Sequence, residues 1–420
     1  MSTFIKKGAA GIALAASLAL ALSGCAAPAS FDAKNCTDAE LAIGSLLPTT
    51  GNLAFLGAPE IAGVDAAIKE INEAGGVLGK CVSVSHKDSG DTTTDTATQS
   101  ATALINEGVD AIVGAASSGV SLSVIDQVTG AGVVQISPAN TSPTLSTYAD
   151  NGFYFRTAPS DLLQGRVLAN QILQDGASSV AVLFQDTSYG VGLNKQVKAV
   201  LEKGKATVNS ISFPETETNF ASYVDKALAG KPDAIVIVSY NESKKIIPAL
   251  QAKGYSGGNL YLVDGNAVDY SAEAYASYLN GAKASIPGKA LDNAFKAKLA
   301  AAYKKYTKKE LTDYTYGESI YDAIIIGALA AQAAGDATGA GIKSQITEIS
   351  KAGAGKVTVT SFAAGIKALK AGKKINYDGK TGAIEFDKNG DPTGAYIGIH
   401  RYSADGKFKL VKTVLGSSVK

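Results

Sequence analysis

Six residues around position 117 carry the first chemistry legible in this chain. Gly114-Ala115-Ala116-Ser117-Ser118-Gly119 follows a short β-branched run at 111–113 and opens a stretch with helical spacing. Where a strand turns into a helix, the first backbone N–H groups are unpaired and the helix presents its positive end, so the turn can hold an anion. Small side chains let a ligand come close, and the serine hydroxyls add donors. The same serines suit a helix N-cap, and the residues alone leave both roles open for Ser117 and Ser118. A carboxylate, Asp264, stands after another apolar run at 260–263 and before Gly265. Asp-Gly is also a common turn pair, so a solvated turn is the competing reading.

Other patterns carry less. Gly254-Tyr255-Ser256-Gly257-Gly258 matches G-x-S-x-G, but that elbow needs a strand before it and a helix after it. Here the order is reversed, so the glycines end a helix. The only two histidines are His86 and His400, with no third ligand nearby, so no zinc site is expected. A hydrolase would need a nucleophile, a base and an orienting acid within reach, which two isolated histidines make hard to build. Asp387-Lys388-Asn389-Gly390-Asp391 begins like a calcium loop, yet Pro392 and Gly398 occupy the positions that require glycine and glutamate. A hairpin turn is expected there. No Walker-A or Rossmann glycine fingerprint sits between a strand and a helix, and no cofactor is expected.

The first 25 residues read differently. Lys6 and Lys7 precede a small and apolar run over 8–21, and Leu22-Ser23-Gly24-Cys25 follows. A basic region, a short apolar run and a small-residue cleavage site make an export signal. The run falls short of the roughly 20 residues needed to span a bilayer. Its last four residues resemble a bacterial lipobox. That resemblance implies a signal peptide over 1–24, cleavage before Cys25, acylation of Cys25, and anchoring to the outer face of the cell membrane. Acyl chains bind at ~0.8 kcal/mol per buried methylene. Residues 25–37 lack an apolar period and read as a flexible tether. Without Lys6 and Lys7 the chain carries 37 basic residues (39 less those two) against 38 acidic ones. That balance offers no field for nucleic acid.

Apart from Cys25, the cysteines are Cys36 and Cys81. Two thiols outside the cytosol suggest one disulfide. If the apolar runs beside them, 41–44 and 82–85, are neighbouring parallel strands, both cysteines sit at one sheet edge. Closing a loop of this size stabilises by ~3–4 kcal/mol in the chain-entropy picture.

The elements that must position these residues alternate. Strands are predicted at 41–46, near 82–84, and at 111–113 and 133–136. Helices are predicted at 59–74, 94–107 and 120–128. A second series starts near Ser160. Its helices are predicted at 162–173, 191–201, 220–228 and 244–252, and its strands at 180–184, 207–211, 234–238 and 260–263. Such alternation means mostly parallel sheets covered on both faces, an α/β fold. Two long helical patterns follow at 291–306 and 319–334. The tail, at 383–386, 396–402 and 408–414, alternates like antiparallel strands. With 396 residues after the signal (420 less 24) two domains are expected. The late helices have no strands of their own and would complete the first.

Five blocks now fall into order: 44–51 (GSLLPTTG), 72–79 (NEAGGVLG), 136–143 (ISPANTSP), 155–161 (FRTAPSD) and 314–322 (YTYGESIYD). Together they resemble the branched-chain amino acid (Leu/Ile/Val-binding) type of periplasmic solute-binding protein, the substrate-binding subunit of ABC importers. The resemblance implies the two-lobed type I fold, with a ligand cleft between lobes and three crossovers. Lobe 1 would comprise 38–158 plus 287–388, and lobe 2 would comprise 159–286 plus 389–420. It implies a monomer that delivers its ligand to membrane permease subunits, not an enzyme. Carried over by position, Ser118 would hold the ligand carboxylate. Ala139 and Thr141 would engage its ammonium and carboxylate, and Asp264 would pair with the ammonium. Tyr189, Tyr240 and Tyr316 would wall the cleft. Two positions depart from the family pattern. Asp264 stands where a glutamate is common, and Leu56 stands where some members carry a tyrosine over the ligand, with Phe55 pointing elsewhere. A different amino acid, an amide such as urea, a small carboxylate or a nucleoside therefore stays open as ligand, as does presentation to a signalling receptor.

Overall fold

The computed structural model describes residues 36–418. The export signal, Cys25 and all but the last two residues of the tether lie outside them. The first series builds a five-stranded parallel sheet in the order β2-β1-β3-β4-β5. Its members are β1 (Thr37–Leu47), α1 (Ala54–Glu73), β2 (Lys80–Asp88), α2 (Thr96–Asn106), β3 (Ala111–Gly114), α3 (Ser118–Gly130), β4 (Val134–Ser137) and β5 (Tyr154–Arg156). The strands β3 and β4 are buried at every position, which is why they read as unbroken apolar runs and not as alternation.

The second series comprises α4 (Asp161–Gln174), β6 (Ser179–Gln185), α5 (Ser188–Lys203), β7 (Thr207–Phe213), α6 (Ala221–Leu228), β8 (Ala234–Val238), α7 (Ser243–Ala252), β9 (Leu260–Val263) and β10 (Lys283–Pro287). Then come α8 (Asn293–Thr307), α9 (Gly317–Ala334), α10 (Gly339–Ser350), β11 (Val357–Val359), α11 (Phe362–Lys370), β12 (Ile375–Tyr377), β13 (Tyr396–Tyr402) and β14 (Phe408–Leu415). The second sheet runs β14-β13-β10-β9-β8-β6-β7. Strands β6 to β10 are parallel, while β13 joins β10, and β14 joins β13, antiparallel.

The late helices return to the first sheet. Helix α9 is mostly apolar and buried along most of its length, as a helix enclosed by its neighbours must be. It packs on α1 and α10, and Ile324 and Ile326 share one core with Leu41, Val113 and Ile136 of the first sheet. The chain therefore passes between the two sheets after β5, after β10 and again before β13.

Two expectations need correction. Residues 383–386 form no strand. They make only isolated bridges, Asp378 to Ala383 and Phe386 to Pro392, because the turns on either side leave no room for a ladder. Conversely, β5, β10, β11 and β12 and the helices α10 and α11 were not anticipated. Strands of three to five residues are too short for a period of two to show.

The disulfide joins Cys36 and Cys81 with 5.2 Å between Cα atoms. Parallel pairing of β1 and β2, with Ala39 opposite Cys81, brings the two to one edge. Across the gap between the sheets, Ser142 Oγ donates to Ser188 O at 3.0 Å, and the Thr92 hydroxyl donates to the Glu215 carboxylate.

Candidate functional site

The C-terminal ends of the parallel strands converge on that gap. At the end of β3, Gly114 adopts φ +125°, and a Cβ there would lie 2.1 Å from Leu46 O, so only glycine fits this turn. The next residues settle the two serines differently. Ser117 is the N-cap of α3, and its hydroxyl accepts from Val120 N. Ser118 Oγ instead accepts from Thr141 N and Ser142 N, both at 3.2 Å, tying α3 to the loop after β4. Neither bond uses its hydroxyl proton, which can be donated to a ligand.

That loop is held on all sides. Ser137 Oγ accepts from Ala139 N and Asn140 N, and Asn140 Nδ2 donates to Ala115 O and Ala116 O. Below it, the fully buried Arg156 donates to Asn140 O (3.3 Å), Ser142 O (2.9 Å) and Ser146 Oγ (2.7 Å). The guanidinium also grips Asp391 with two bonds, at 2.6 and 2.9 Å. Residues 139–142 therefore present Ala139 and Thr141 from a rigid platform. Asp387 accepts from Asn389 N and Asp391 N, so the stretch that begins like a calcium loop is a turn serving this clamp.

Asp264 directly follows β9 and accepts from Gln164 Nε2 (2.7 Å), Tyr189 Oη (2.9 Å) and Tyr316 Oη (2.7 Å). Burial raises its pKa, against which those three bonds work. Beside it lies Asp161, the first residue of α4, completely buried. Its backbone N–H donates to Thr141 O at 2.7 Å, and its carboxylate oxygens meet no donor in good hydrogen-bond geometry, although the Thr141 hydroxyl lies beside them. Burial first, and then the Asp264 charge, push its pKa well up, and the Thr141 hydroxyl and Arg156 only partly oppose this. Arg156 already serves Asp391 and the platform. Two desolvated carboxyls thus sit together in want of a cation.

Aromatic and aliphatic side chains close the space. Tyr189 and Tyr240 stack with centroids 5.5 Å apart and planes within 10°. Leu56, Ala116, Ala139, Tyr189, Tyr240 and Tyr316 share one apolar cluster drawn from both sheets' elements. Tyr316 takes φ +61° to open α9 while sending its hydroxyl to Asp264. Phe55, expected to point elsewhere, packs against this cluster and also lines an outer groove.

The structure therefore gathers all eight residues singled out from sequence. Leu56, Ala139, Tyr189, Tyr240 and Tyr316 cluster, Asp264 is bonded to two of them, and Ser118 is bonded to the backbone of Thr141. Asp161 and Gln164 were missed. A Ser-Asp pair opening a helix has a sufficient explanation in capping and the helix dipole, which hides a second role. Ser160 does cap α4, accepting from Leu162 N.

One arrangement contradicts the isolation of the histidines. Ser45 Oγ lies 2.6 Å from His86 Nδ1, and His86 Nε2 lies 3.3 Å from Asp65 Oδ1. The order of groups resembles a hydrolytic triad, but Ser45 is 1% exposed within β1, opposite His86 in β2. No substrate carbonyl reaches that hydroxyl, and the trio is a hydrogen-bonded pin between α1 and the sheet.

The profile of the periplasmic binding protein family matches residues 40–390. Among curated relatives, the chemotactic signal transduction system substrate-binding protein BasB of Halobacterium salinarum is 28% identical over 368 residues, covering 84% of this chain and 85% of its own length. The Leu/Ile/Val-binding protein homolog 3 of Brucella melitensis is 28% identical over 205 residues, 48% of this chain and 55% of its own. For that relative the match spans about half its length. In fold, a leucine-binding protein of Thermotoga maritima superposes with a TM-score of 0.74 at 22% identity, over 90% of this chain and 100% of that one. The branched-chain amino acid transporter substrate-binding protein of Streptococcus pneumoniae, solved with isoleucine, gives 0.70 at 25%, over 89% and 99%.

Proposed function

Because the chain belongs to the periplasmic binding protein family, a family of substrate-binding proteins with the two-lobed type I fold, we propose that it captures an amino acid between its lobes and delivers it to an ABC permease. One observation carries the choice of ligand: Asp161 and Asp264 lie buried together, and the loop that carries Thr141, bonded through its backbone to both Asp161 and Ser118, joins them to the start of α3. An α-amino acid is complementary to that arrangement. Its ammonium would sit on the two carboxylates and the Ala139 carbonyl, and its carboxylate on Ser118, Thr141 and the helix end. Leu56, Tyr189, Tyr240 and Tyr316 would cover the side chain. The relatives named for leucine, isoleucine and valine, and the isoleucine-bound neighbour, support the same class.

The lobes are 38–158 with 287–388, and 159–286 with 389–420, and they close by a hinge motion. Cys25 carries the lipid after removal of 1–24, and 25–37 holds the monomer off the outer face of the membrane. A second reading, ligand presentation to a chemotaxis receptor, is favoured by the BasB relative. Co-purification with permease subunits, against co-purification with a receptor, separates the two.

The deciding experiment is a thermal-shift screen of all amino acids, urea, short amides, nucleosides and sugars. A ligand at 100 times its Kd adds about 2.7 kcal/mol of stability. A rise confined to one or a few amino acids supports the reading. A rise with an amide or nucleoside alone keeps the family and removes Asp264 from its assigned role.

A further inference from the structure

Outside the inner site, a groove of about 770 Å³ opens between the two lobes. Phe55 and Ala58 of α1 and Tyr314 and Tyr316 before α9 form one wall. Val268 and Phe408 belong to the opposite side, and Ile286 to Leu291 run along the crossover between them. Tyr316 is shared, its ring on the groove and its hydroxyl on Asp264. The lining mixes apolar and polar groups, and Glu318 belongs to it, 6% exposed, with Oε2 unbonded to any group. The other oxygen rests against Gly288, where an added Cβ would come within 3.0 Å of it. The groups that act on this carboxyl are Asp322 of its own helix, Asp313 of the loop before it, and Lys289 of the crossover. Burial is the first cause, and the two aspartates add to it, so the pKa is pushed up to about 8, with Lys289 opposing.

A buried acceptor without a donor, in the lining of an open groove, is costly unless something fills it. We propose that the groove is a second binding site, separate from the inner cleft, for a small organic monocation: its ammonium reaches Glu318 and its apolar body lies on Phe55 and Tyr316. Lys244, Lys289, Lys296, Lys407 and Lys409 share the groove walls with Asp269, Glu310 and Asp313, so the walls carry both signs. Neither sign dominates there, and the unpaired Glu318 carboxyl sets the charge class of the ligand. Binding converts a carboxyl that is largely protonated at neutral pH into a carboxylate, so one proton leaves for each cation bound.

The test is calorimetric titration of n-butylammonium into the full chain at pH 7, in two buffers of different ionisation heat. The expected result is saturable binding at one site with release of close to one proton. Glu318→Gln should bind about tenfold more weakly and release none. Phe55→Ala should weaken binding while leaving proton release intact, which separates loss of a wall from loss of the charge. Amino acid titration of the same Glu318→Gln protein reports the inner site independently, so failure of one proposal is distinguishable from failure of the other. Absence of saturable binding, binding without proton release, or equal binding by Glu318→Gln overturns the proposal.

Discussion

The platform at 139–142 and the carboxyl pair beside it are equally buried, yet they are built in opposite ways. In the platform Ser137, Asn140, Arg156 and Asp391 have all found partners. In the pair, the Asp161 oxygens meet no donor in good geometry and Asp264 raises its pKa further. One side is finished before a ligand arrives, and the other is finished by it. A preorganised half fixes geometry without reorganisation, and an unsatisfied half supplies the drive to bind and discriminate.

Substitutions can break this contrast. Asp264→Ala should cost amino acid binding about 3–5 kcal/mol, measured by calorimetry, while the ligand-free protein melts no lower than the parent. A large loss of melting temperature would mean that Asp264 belongs with the satisfied half. Arg156→Met should do the reverse. It strips the platform of its support and leaves Asp391 without its cation, so the ligand-free protein should lose about 3 kcal/mol in denaturant unfolding. Affinity should fall with it.

Smaller effects sharpen the contrast. Ser118→Ala should weaken ligand binding by about 1–2 kcal/mol through one lost hydrogen bond. Ser117→Ala should instead cost about 1 kcal/mol of stability as a lost cap, with little change in affinity. Equal effects of both on affinity would show that the turn binds through its backbone alone. The pH response is the finest probe. Asp161 and Asp264 both have pKa values raised in the folded protein. Their protonated forms therefore favour folding, a contribution complete below the ordinary carboxylate pKa and lost as pH rises through the raised values. Melting temperature of the ligand-free protein should show this gain on acidification, and Asp161→Asn should show less of it. Saturating amino acid, by holding both groups ionised, should flatten it.

The layers of the fold were legible because buried parallel strands leave unbroken β-branched runs, and 111–113, 234–238 and 260–263 all became strands. The disulfide was legible from where two cysteines stand beside such runs. Very short pieces such as Tyr154–Arg156 left no period, and the alternation at 383–386 arose among turns. At the site, the residues carried over by position from the family resemblance came together. Asp161 was concealed by its own helix start, and the Ser45–His86–Asp65 pin by the cross-strand register that creates it. Pairings between distant segments are facts of packing, and a period in one segment does not encode them.

The disulfide has a mechanical consequence. Cys36 is the last residue before β1, and Cys81 lies on the adjacent strand β2. A pull on the chain from the N-terminal side of Cys36 enters the sheet through two strands at once, because the sulfur bridge transmits tension into β2 alongside the peptide of β1. The load is carried as shear along paired strands, and β1 is not peeled away one hydrogen bond at a time. Force spectroscopy with the handle ahead of Cys36 should therefore record a higher rupture force in the oxidised protein than in the reduced one.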